Sequence, residues 1–489
     1  MSVTLSKSKY LVGTQCPKRL WLESHRRDLM PPVSPAQERV FSAGHEVGRL
    51  ARERFPGGIL IEEDPLRWRD AVVATKAAID VGARILFEPC LLHADTISRA
   101  DIMVRNGDGS FDVIEVKSNT GTKAVHVLDL AVQTFVYEGC GLRVRKTCLM
   151  HLNGACRYPD LADLFTTADL SAEVRAYLPE VPETIASLKA TIAMEEEPSV
   201  RLGSRCANPY ECGFFGYCGK LWELPGPSVF DIPHLVADKR DDLIERGILA
   251  LEDIPANAEL GGQGERFLKL YLEGRKEIDL DGIRGWLGGL RFPLHFLDFE
   301  TDAPAIPRLP GLGPFGSIPF QFSLHIVHED GRVDETEGFL HEDSSDPRPA
   351  IARALLEQIG SEGSIIAYNA SFEKRVIGQL AEFLPELKPA LESMQSRFAD
   401  LLDVFRKHYI DPAFKGSNSI KAVLPVICPD LSYSVLDVRD GEGAQVAWSE
   451  LISTEDPARK ASLSEALKRY CGLDTLAMVR LYQYLKDLR

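Results

Sequence analysis

The stretch Leu294-His295-Phe296-Leu297-Asp298-Phe299-Glu300-Thr301 is an apolar run into which two carboxylates are inserted. Successive side chains of a strand point to opposite sides, so Asp298 and Glu300 would share one face. Carboxylates in a strand that otherwise belongs to a core carry a desolvation cost unless a cation compensates them. The stretch therefore predicts a strand that presents a divalent-metal site.

A second acidic site is predicted in the first half of the chain. Two strand-like segments flank the turn Asn106-Gly107-Asp108-Gly109, a pattern typical of a hairpin. On the returning strand Glu115 and Lys117 share a face, and Asp101 stands across the hairpin from that face. We expect the two carboxylates to hold Mg2+ or Mn2+, with the lysine stabilising charge on a phosphate or orienting the attacking water.

Three further segments carry polar side chains at helical or strand spacing. After the hairpin, a predicted helix places Gln133 and Tyr137 four residues apart on one face, where they could contact substrate or brace the site. A predicted strand over residues 364–369 leads into a helix that carries Glu373. The last predicted helix places Tyr470 and Asp474 on one face.

The chain has ten cysteines, and their spacing separates two groups. Cys206, Cys212 and Cys218 are six apart in a loop rich in glycine and aromatic residues, and Cys16 is the best-placed fourth member. This quartet predicts a metal site, for which four thiolates around zinc is one reading. The remaining cysteines stand among apolar neighbours and are predicted to be buried small apolar residues: Cys90, Cys140, Cys148, Cys156, Cys428 and Cys471.

The length of 489 residues exceeds what one hydrophobic core normally serves, so several domains are expected. The segment Leu224-Pro225-Gly226-Pro227-Ser228 bars helix and strand continuation and marks a boundary. The sequence predicts an α/β multidomain protein with domains at 1–224 and 288–489. A small helical connector, 225–287, is expected between them.

Composition narrows the classes of protein. With 45% hydrophobic and 26% charged residues, and no apolar run near the roughly 20 residues that cross a bilayer, a soluble globular protein is expected. The first residues lack the pattern of a signal peptide, so we expect cytoplasmic residence. The net charge of -16 argues against a protein that coats duplex DNA by bulk electrostatics. Metal-binding carboxylates would add to that acidic count.

The first half resembles the RecB-family branch of the PD-(D/E)xK nucleases over roughly residues 1–222, through Asp101, Glu115-x-Lys117 and Gln133-x-x-x-Tyr137. This resemblance implies a restriction-endonuclease-like α/β core in which these five residues form the active site and Asp101 and Glu115 bind metal.

Iron-sulfur members of that branch have one cysteine before the nuclease core and three after it, an arrangement that Cys16, Cys206, Cys212 and Cys218 match. The resemblance implies a structural [4Fe-4S] cluster, with zinc as the alternative. Many relatives also have a metal-binding histidine in an upstream helix, and His45 is the candidate for it in this chain.

The second half resembles the DEDD 3'-5' exonucleases, DnaQ-like members of the ribonuclease-H-like superfamily, over roughly residues 290–489. The matching motifs are Asp298-x-Glu300, Asn369-x-x-Phe372-Glu373 and Tyr470-x-x-x-Asp474, with glutamate at 373 where the family has aspartate. The resemblance implies a ribonuclease-H-like α/β domain. It makes Asp298, Glu300 and Asp474 metal ligands, Glu373 a further catalytic carboxylate, and Tyr470 the residue that orients the attacking water.

Together these patterns predict a metal-dependent nuclease with two centres, acting on nucleic acid, with DNA ahead of RNA, in repair or defence. The whole arrangement resembles predicted RecB-type nucleases fused to a ribonuclease-H-like domain. Two other readings stay open. One is a nucleic-acid-binding scaffold in which one or both centres are inactive, and the other is a redox-responsive binding protein that uses its cysteines as the sensor.

Overall fold

The computed structural model describes residues 3–62, 67–433 and 436–488. The chain is a mixed α/β protein with several sheets, as expected, and it divides into two compact units. The first unit comprises Met1–Leu224 with Pro304–Phe315, and the second comprises Pro225–Ala303 with Gly316–Arg489. The segment expected as a separate connector is thus part of the second unit, and the short segment from 304 to 315 joins the first.

Helices and strands alternate irregularly in the first unit. Its helices are α1 (Lys7–Gln15), α2 (Pro17–His25), α3 (Pro35–Arg52), α4 (Trp68–Asp80), α5 (Ala124–Gly139), α6 (Ser171–Tyr177), α7 (Val181–Ala193) and α8 (Phe215–Leu221). Its strands are β1 (Leu5–Ser6), β2 (Ile59–Leu60), β3 (Ile85–Phe87), β4 (Cys90–His93), β5 (Thr96–Arg99), β6 (Ile102–Arg105), β7 (Phe111–Lys117), β8 (Val144–Leu152) and β9 (Phe165–Asp169). Six of the strands form a sheet in the order β2-β3-β6-β7-β8-β9, and three form a smaller sheet in the order β1-β5-β4.

Strand β7 organises the larger sheet. It pairs antiparallel with β6 through the expected hairpin and parallel with β8, and α5 is the connection between β7 and β8. Alternation along β7 puts Val113 in a core with Val136 of α5, whereas Ile114 packs in a different core with Ala51 of α3. Glu115, two residues after Val113, therefore faces α5.

The second unit has its own helices and sheets. The helices are α9 (Ala237–Glu245), α10 (Gly262–Leu272), α11 (Leu280–Gly288), α12 (Arg348–Ile359), α13 (Ala370–Phe383), α14 (Lys388–Gln395), α15 (Leu401–Lys407), α16 (Ile420–Ile427), α17 (Gly441–Leu451) and α18 (Pro457–Asp487). The strands are β10 (Glu277–Ile278), β11 (Leu294–Asp302), β12 (Ile318–Val327), β13 (Val333–Glu335), β14 (Phe339–Leu340), β15 (Ser364–Ala367), β16 (Phe398–Asp400) and β17 (Tyr409–Ile410). The larger sheet has the order β13-β12-β11-β15-β16 with β14 on β12, and β10 pairs with β17.

Strand β11 lies in the middle of this sheet. It is the apolar stretch that contains the two acids Asp298 and Glu300. It pairs antiparallel with β12 and parallel with β15. Phe296 packs in one core, where its ring centroid is 5.6 Å from that of Tyr482 on α18. Leu297 and Phe299 pack in the other core with Ile377 of α13. Asp298 and Glu300 are on the Phe296 face by strand alternation, and this is the face that α18 covers.

The segment that precedes β11 packs around a core of its own. Buried side chains of residues 229–268, including Leu243, Ile244 and Phe267, form one cluster, so this part is more than an extended link. Over the described residues, none of the helices combines the length and apolar character needed to cross a membrane.

Candidate functional site

The first group of polar side chains lies where β7 faces α5. We call it the lysine–carboxylate centre, and its members are Lys7, Asp101, Glu115, Lys117, Asp129 and Gln133. The sequence-predicted Asp101, Glu115, Lys117 and Gln133 all belong to it.

Glu115 is the most heavily bonded member. Lys7 Nζ lies 2.9 Å from each of its carboxylate oxygens, and Lys117 Nζ lies 2.7 Å from Oε1. Gln133 donates from Nε2 to Glu115 Oε2 at 2.5 Å. Asp129 accepts from Lys117 at 2.8 Å and pairs with Lys7 at 3.2 Å. Two ammonium groups thus bridge two buried carboxylates.

Burial and neighbouring charges shift the pKa values of several members of this centre. Burial would lower the pKa of Lys7, but Asp129 and Glu115 raise that pKa well above its usual range. Burial acts in the opposite sense on Asp129, yet Lys7 and Lys117 hold its pKa well below normal. Asp101 behaves differently, because burial and then the charge of Glu115 raise its pKa to about 8.

The hairpin fixes Asp101 directly. Its Oδ2 accepts the backbone N–H of Val116 at 2.5 Å, across the β6–β7 hairpin. Tyr137 is fully buried, and its hydroxyl donates to the Pro89 carbonyl at 2.7 Å and accepts from the Ala100 N–H at 3.0 Å. Of the two roles expected for Tyr137, the structure supports bracing of the backbone beside Asp101. A buried hydroxyl with both partners in the backbone does not reach a substrate.

His45 stands apart from this centre. It is exposed on α3, whose buried residues are Val47 and Ala51. No group of three close metal-ligand atoms found among the described residues includes it. His45 lies on the side of α3 opposite these buried residues, so the expected metal role has no geometric support.

Sequence reasoning missed Lys7 and Asp129. Asp129 had a local signal, because it precedes Gln133 by four residues on α5 and so shares its face. Lys7 had none. It reaches Glu115 because β1 pairs with β5 and starts α1 beside the sheet, a long-range pairing that no local pattern reveals.

The four cysteines expected to act together do line one pocket, which we call the cysteine pocket. Cys16 precedes α2, Cys206 ends a short helical turn at Ser204–Cys206, and Cys218 lies on α8. The Cys212 N–H donates to the Cys206 carbonyl at 2.8 Å. Gln15 ties the loop to α1 by donating to backbone carbonyls of that loop at 2.8 and 2.6 Å.

Cations surround the cysteine pocket. Its lining includes four basic side chains, from Lys18, Arg19, Arg201 and Arg205. Burial raises the pKa of Cys206 and of Cys218, for Cys218 to about 11, and the neighbouring thiols raise both further. Within the described residues no three of these sulfurs lie mutually within 4.8 Å. The four thiols thus line one pocket and influence one another's pKa values.

The second group of acids brings together segments that are far apart in the chain. We call it the acid centre: Asp298 and Glu300 of β11, Glu373 of α13 and Asp474 of α18. The start of α13 is held in place by Asp400, whose carboxylate accepts the N–H groups of Asn369 at 3.0 Å and Ala370 at 3.1 Å. That anchor puts Glu373 in the first turn, within electrostatic range of Asp298.

Burial and mutual repulsion dominate the acid centre. Burial and then Asp474 raise the pKa of Glu300 to about 8 and that of Asp298 well above its usual range. Burial also raises the pKa of Glu373 to about 8 and that of Asp474 to about 6. Glu373 is only 3% exposed, and its Oε2 has no hydrogen-bond partner. The centre is short of positive charge.

Two tyrosines and one lysine border the acid centre. Tyr433 donates to Asp474 Oδ1 at 2.6 Å, and the ring centroid of the buried Tyr470 lies 6.3 Å from that of Tyr433. Lys421 Nζ lies 5.6 and 5.9 Å from the ring centroids of Tyr433 and Tyr470. The Lys421 side chain is exposed, and its charge lowers the pKa of Glu300 and of Asp474. Tyr433 was not expected from the sequence as a site residue.

Cys471 was expected to be a buried apolar residue, and only the burial is right. Its Sγ lies 3.8 Å from the carbonyl oxygen of Asp298 and 3.9 Å from Oδ2 of the same residue. The available signal was its place between Tyr470 and Asp474 on one helix. Four other scattered cysteines are buried as expected, namely Cys90, Cys148, Cys156 and Cys428, whereas Cys140 is half-buried.

Comparison with known proteins adds a family and distant relatives. Residues 295–419 match DUF2779, a domain of unknown function. The chain is 29% identical over 212 residues to the uncharacterized MG366 homolog of Mycoplasma pneumoniae, covering 39% of this chain and 32% of that protein. It is 27% identical over 212 residues to the uncharacterized protein MG366 of Mycoplasma genitalium, covering 40% and 32%. The chain thus spans about a third of the length of the curated relatives it matches.

Among solved structures, the crystal structure of SSO0001 matches 44% of this chain and 86% of that chain at 14% identity. The TM-score of 0.22 is too low to support a conclusion about the fold. The matched family segment contains Asp298, Glu300 and Glu373, and it ends before Lys421 and Asp474.

Replacing Lys7 tests the charge balance of the lysine–carboxylate centre. Lys7→Met leaves Glu115 and Asp129 buried with one cation fewer, so we expect the free energy of unfolding to fall by about 3 kcal/mol. Urea denaturation measures the loss, and hydrogen exchange of residues 111–139 assigns it to this unit. Lys9→Met, on the same helix, is the control and should change stability by less than about 0.5 kcal/mol. Equal losses in the two variants would contradict the assignment.

The raised pKa values of the acid centre predict a pH dependence in the presence of EDTA. Glu300 and Glu373 titrate near 8 in the folded chain against an ordinary 4.5, so between these values the folded state binds more protons than the unfolded state. Stability should then fall as pH rises from about 5 to 8, by at most about 1.4 kcal/mol per pH unit for each group. Thermal unfolding at a series of pH values measures the slope.

Two variants test whether the acid centre causes this change of stability with pH. Glu300→Gln should flatten the slope and make the chain more stable than the parent at pH 8, since a neutral amide replaces a repelled carboxylate. Glu357→Gln changes an exposed glutamate of α12 and should keep the parent slope. A slope that survives Glu300→Gln unchanged would argue against burial of charge at this centre.

Proposed function

We propose that the chain is a metal-dependent nuclease that hydrolyses phosphodiester bonds. The observation that carries this proposal is the acid centre, where the half-buried Asp298 and the buried Glu300, Glu373 and Asp474 converge from three separate elements. Glu373 Oε2 has no partner there, and an arrangement so short of positive charge calls for cations. Carboxylate oxygens are the ligands that Mg2+ and Mn2+ prefer.

The finer assignment is part of the same proposal. The first unit would be a RecB-type PD-(D/E)xK nuclease, and the second a DEDD-type exonuclease of the ribonuclease-H-like kind. Support for the first comes from the hairpin and the β7-α5-β8 connection, which bring Asp101, Glu115, Lys117 and Gln133 together. Support for the second comes from the meeting of Asp298, Glu300 and Asp474 on β11 and α18.

In the acid centre, Asp298, Glu300 and Asp474 would hold divalent ions, with Glu373 as a further ligand. The ions, when bound, would supply positive charge beside the scissile phosphate. Tyr433 holds the Asp474 carboxylate by a hydrogen bond, and Tyr470 would orient an attacking water beside it. The exposed Lys421 ammonium stands over both rings, a suitable position for contact with a substrate phosphate.

In the lysine–carboxylate centre, Asp101 and Glu115 would hold one divalent ion. Lys117, with 32% of its side chain exposed, is the cation placed to stabilise charge on a phosphate oxygen. Gln133 and Asp129 hold Glu115 and Lys117 in this arrangement through hydrogen bonds. Lys7 is nearly buried and would serve to orient Glu115 and Asp129 rather than touch the substrate.

The cysteine pocket fits an iron-sulfur cluster, and we propose that Cys16, Cys206, Cys212 and Cys218 hold a [4Fe-4S] cluster. A single zinc ion with bonds of about 2.3 Å would draw its four sulfurs to within roughly 4 Å of one another. Among the described residues no three of the four sulfurs lie mutually within 4.8 Å, and a cluster, which is larger than a single ion, accommodates such spacing. The surrounding lysine and arginines suit the negative charge of a thiolate-ligated cluster. Such a cluster would tie α2 to the loop that precedes α8.

A nucleic-acid-binding scaffold is the second candidate. Lys7 occupies both carboxylate oxygens of Glu115, so metal binding at the lysine–carboxylate centre must compete with an ammonium group. That observation favours an inactive first centre, which would bind a phosphate through its lysines without cleavage. DNA as the preferred polymer and cytoplasmic residence stay predictions of the sequence, as does a redox-sensing role for the cysteines.

End-labelled single-stranded DNA and RNA, incubated with Mn2+ or Mg2+, test the nuclease proposal. We expect Lys117→Met to lower the rate of cleavage at the first centre by roughly a hundredfold or more. Asp298→Asn should lower the rate of cleavage at the second centre by a similar factor. The pattern of labelled fragments shows which polymer each centre accepts and whether cleavage starts at an end. Lys9→Met and Glu357→Gln, exposed or half-buried changes outside both centres, should behave as the parent.

The outcomes separate the two candidates. Cleavage that persists in both active-centre variants would reject the assignment of these residues. A parent protein that binds the strands but leaves all of them intact would reject the nuclease and favour the scaffold.

The cofactor proposal has a direct test. Anaerobically purified protein should be brown and contain about four iron and four sulfide per chain. Cys206→Ser should lose the colour, while Cys140→Ser, which changes a half-buried cysteine outside the pocket, should keep it. A colourless parent that contains zinc would favour the zinc alternative.

A further inference from the structure

A thiol stands among the carboxylates of the acid centre. One carboxylate oxygen from Asp298, one from Glu300 and the Cys471 sulfur all lie within 4.8 Å of one another. Throughout the described parts of the chain, this is the one group of three histidine, cysteine or acidic ligand atoms at such spacing. Two oxygens and one sulfur therefore converge on a space the size of a single ion.

The local structure explains the convergence. Asp298 and Glu300 are two residues apart on β11 and face α18, which presents Cys471 to that strand. Cys471 is fully buried, and its Sγ is 3.9 Å from Asp298 Oδ2. A cysteine buried for packing alone would be expected among apolar side chains, as Cys428 is in its hydrophobic cluster.

A separate observation supports a cation between Asp298, Glu300 and Cys471. Glu373, from α13, is 3% exposed with an Oε2 that has no partner, and its charge acts on both Asp298 and Glu300. Lys421 approaches from the solvent side, and Tyr433 bonds to Asp474. Among these neighbours, the negative charge of the two β11 carboxylates has no buried ammonium or guanidinium opposite it.

The donor set decides which cation fits. Hard ions such as Mg2+ and Ca2+ take oxygen ligands, whereas a thiolate favours softer transition metals. Three protein ligands with an open position for water or substrate is the pattern of catalytic zinc sites. An all-carboxylate centre has no such preference for a thiophilic ion.

We propose that the acid centre binds a thiophilic divalent transition-metal ion of the Zn2+ class through Asp298, Glu300 and the Cys471 thiolate. On binding, the S–H bond of Cys471 is replaced by a sulfur–metal bond and the proton passes to water, so no oxidant or reductant takes part. The inference rests on the proposed function, in which this centre holds metal, and it names the class of ion that one of its positions accepts.

Cobalt is the probe, because Co2+ replaces Zn2+ and gives a near-ultraviolet charge-transfer band when sulfur is a ligand. The full-length parent, Cys471→Ser and the control Cys428→Ser are titrated with Co2+ and then with Zn2+. Any contribution of the cysteine pocket is common to all three proteins and cancels in the difference spectra. We expect a band that Cys471→Ser loses, that Cys428→Ser keeps, and that Zn2+ bleaches.

A second variant keeps the inference testable if Cys471→Ser does not fold. Asp298→Asn leaves the thiol in place but removes one oxygen ligand, so the Co2+ concentration that half-saturates the band should rise at least roughly tenfold. A parent whose spectrum equals that of Cys471→Ser, or a band untouched by Asp298→Asn, would overturn the proposal.

The spectra do not depend on cleavage, so the two proposals fail separately. Nuclease activity lost in Asp298→Asn without any Cys471-dependent band would reject the thiolate site alone. A Cys471-dependent band in a protein that cuts no strand would reject the nuclease alone.

Discussion

Buried carboxylates without an equal number of buried cations are the constraint around which the second unit is organised. A charged oxygen taken out of water costs several kcal/mol unless a cation or hydrogen bonds replace the lost hydration. At the acid centre the cost appears as raised pKa values on all four acids and as an unpartnered oxygen on Glu373. Apolar packing on both faces of β11 offsets this cost. Because the two hydrophobic cores hold the strand in the middle of the sheet, β11 keeps its place whether its acids are charged or neutral.

The first unit meets the same problem with a different solution. There, Lys7 and Lys117 bridge Glu115 and Asp129, so that the charges are largely balanced within the protein. Burial and the charge of Glu115 nevertheless raise the pKa of the Asp101 carboxyl to about 8. The first centre therefore contains its own counter-charge, whereas the acid centre has no buried lysine or arginine among the neighbours described above.

Residues outside the motifs determine the geometry of each centre. Asp400 contributes no atom to the acid centre, yet it caps the start of α13 and so sets where Glu373 points. Tyr137 acts in the same way on the first centre by bonding the backbone of Ala100, which directly precedes Asp101, and that of Pro89. Gly416 has a left-handed backbone, and a Cβ there would lie 1.8 Å from the Asp231 carbonyl. This close approach anchors the loop that leads to Lys421.

Local patterns in the sequence were enough for the elements that carry the motifs. Strand alternation determined that Asp298 and Glu300 share a face, the Asn-Gly-Asp-Gly turn determined the hairpin beside Glu115, and helical spacing paired Tyr470 with Asp474. These follow from the periods of strands and helices, which depend on neighbours in the chain. Only the tertiary structure brought Lys7 to Glu115, turned His45 outward and put Cys471 against Asp298. The contacts of Lys7 and Cys471 join residues distant in sequence, so they depend on strand order and helix packing, which local periodicity does not determine.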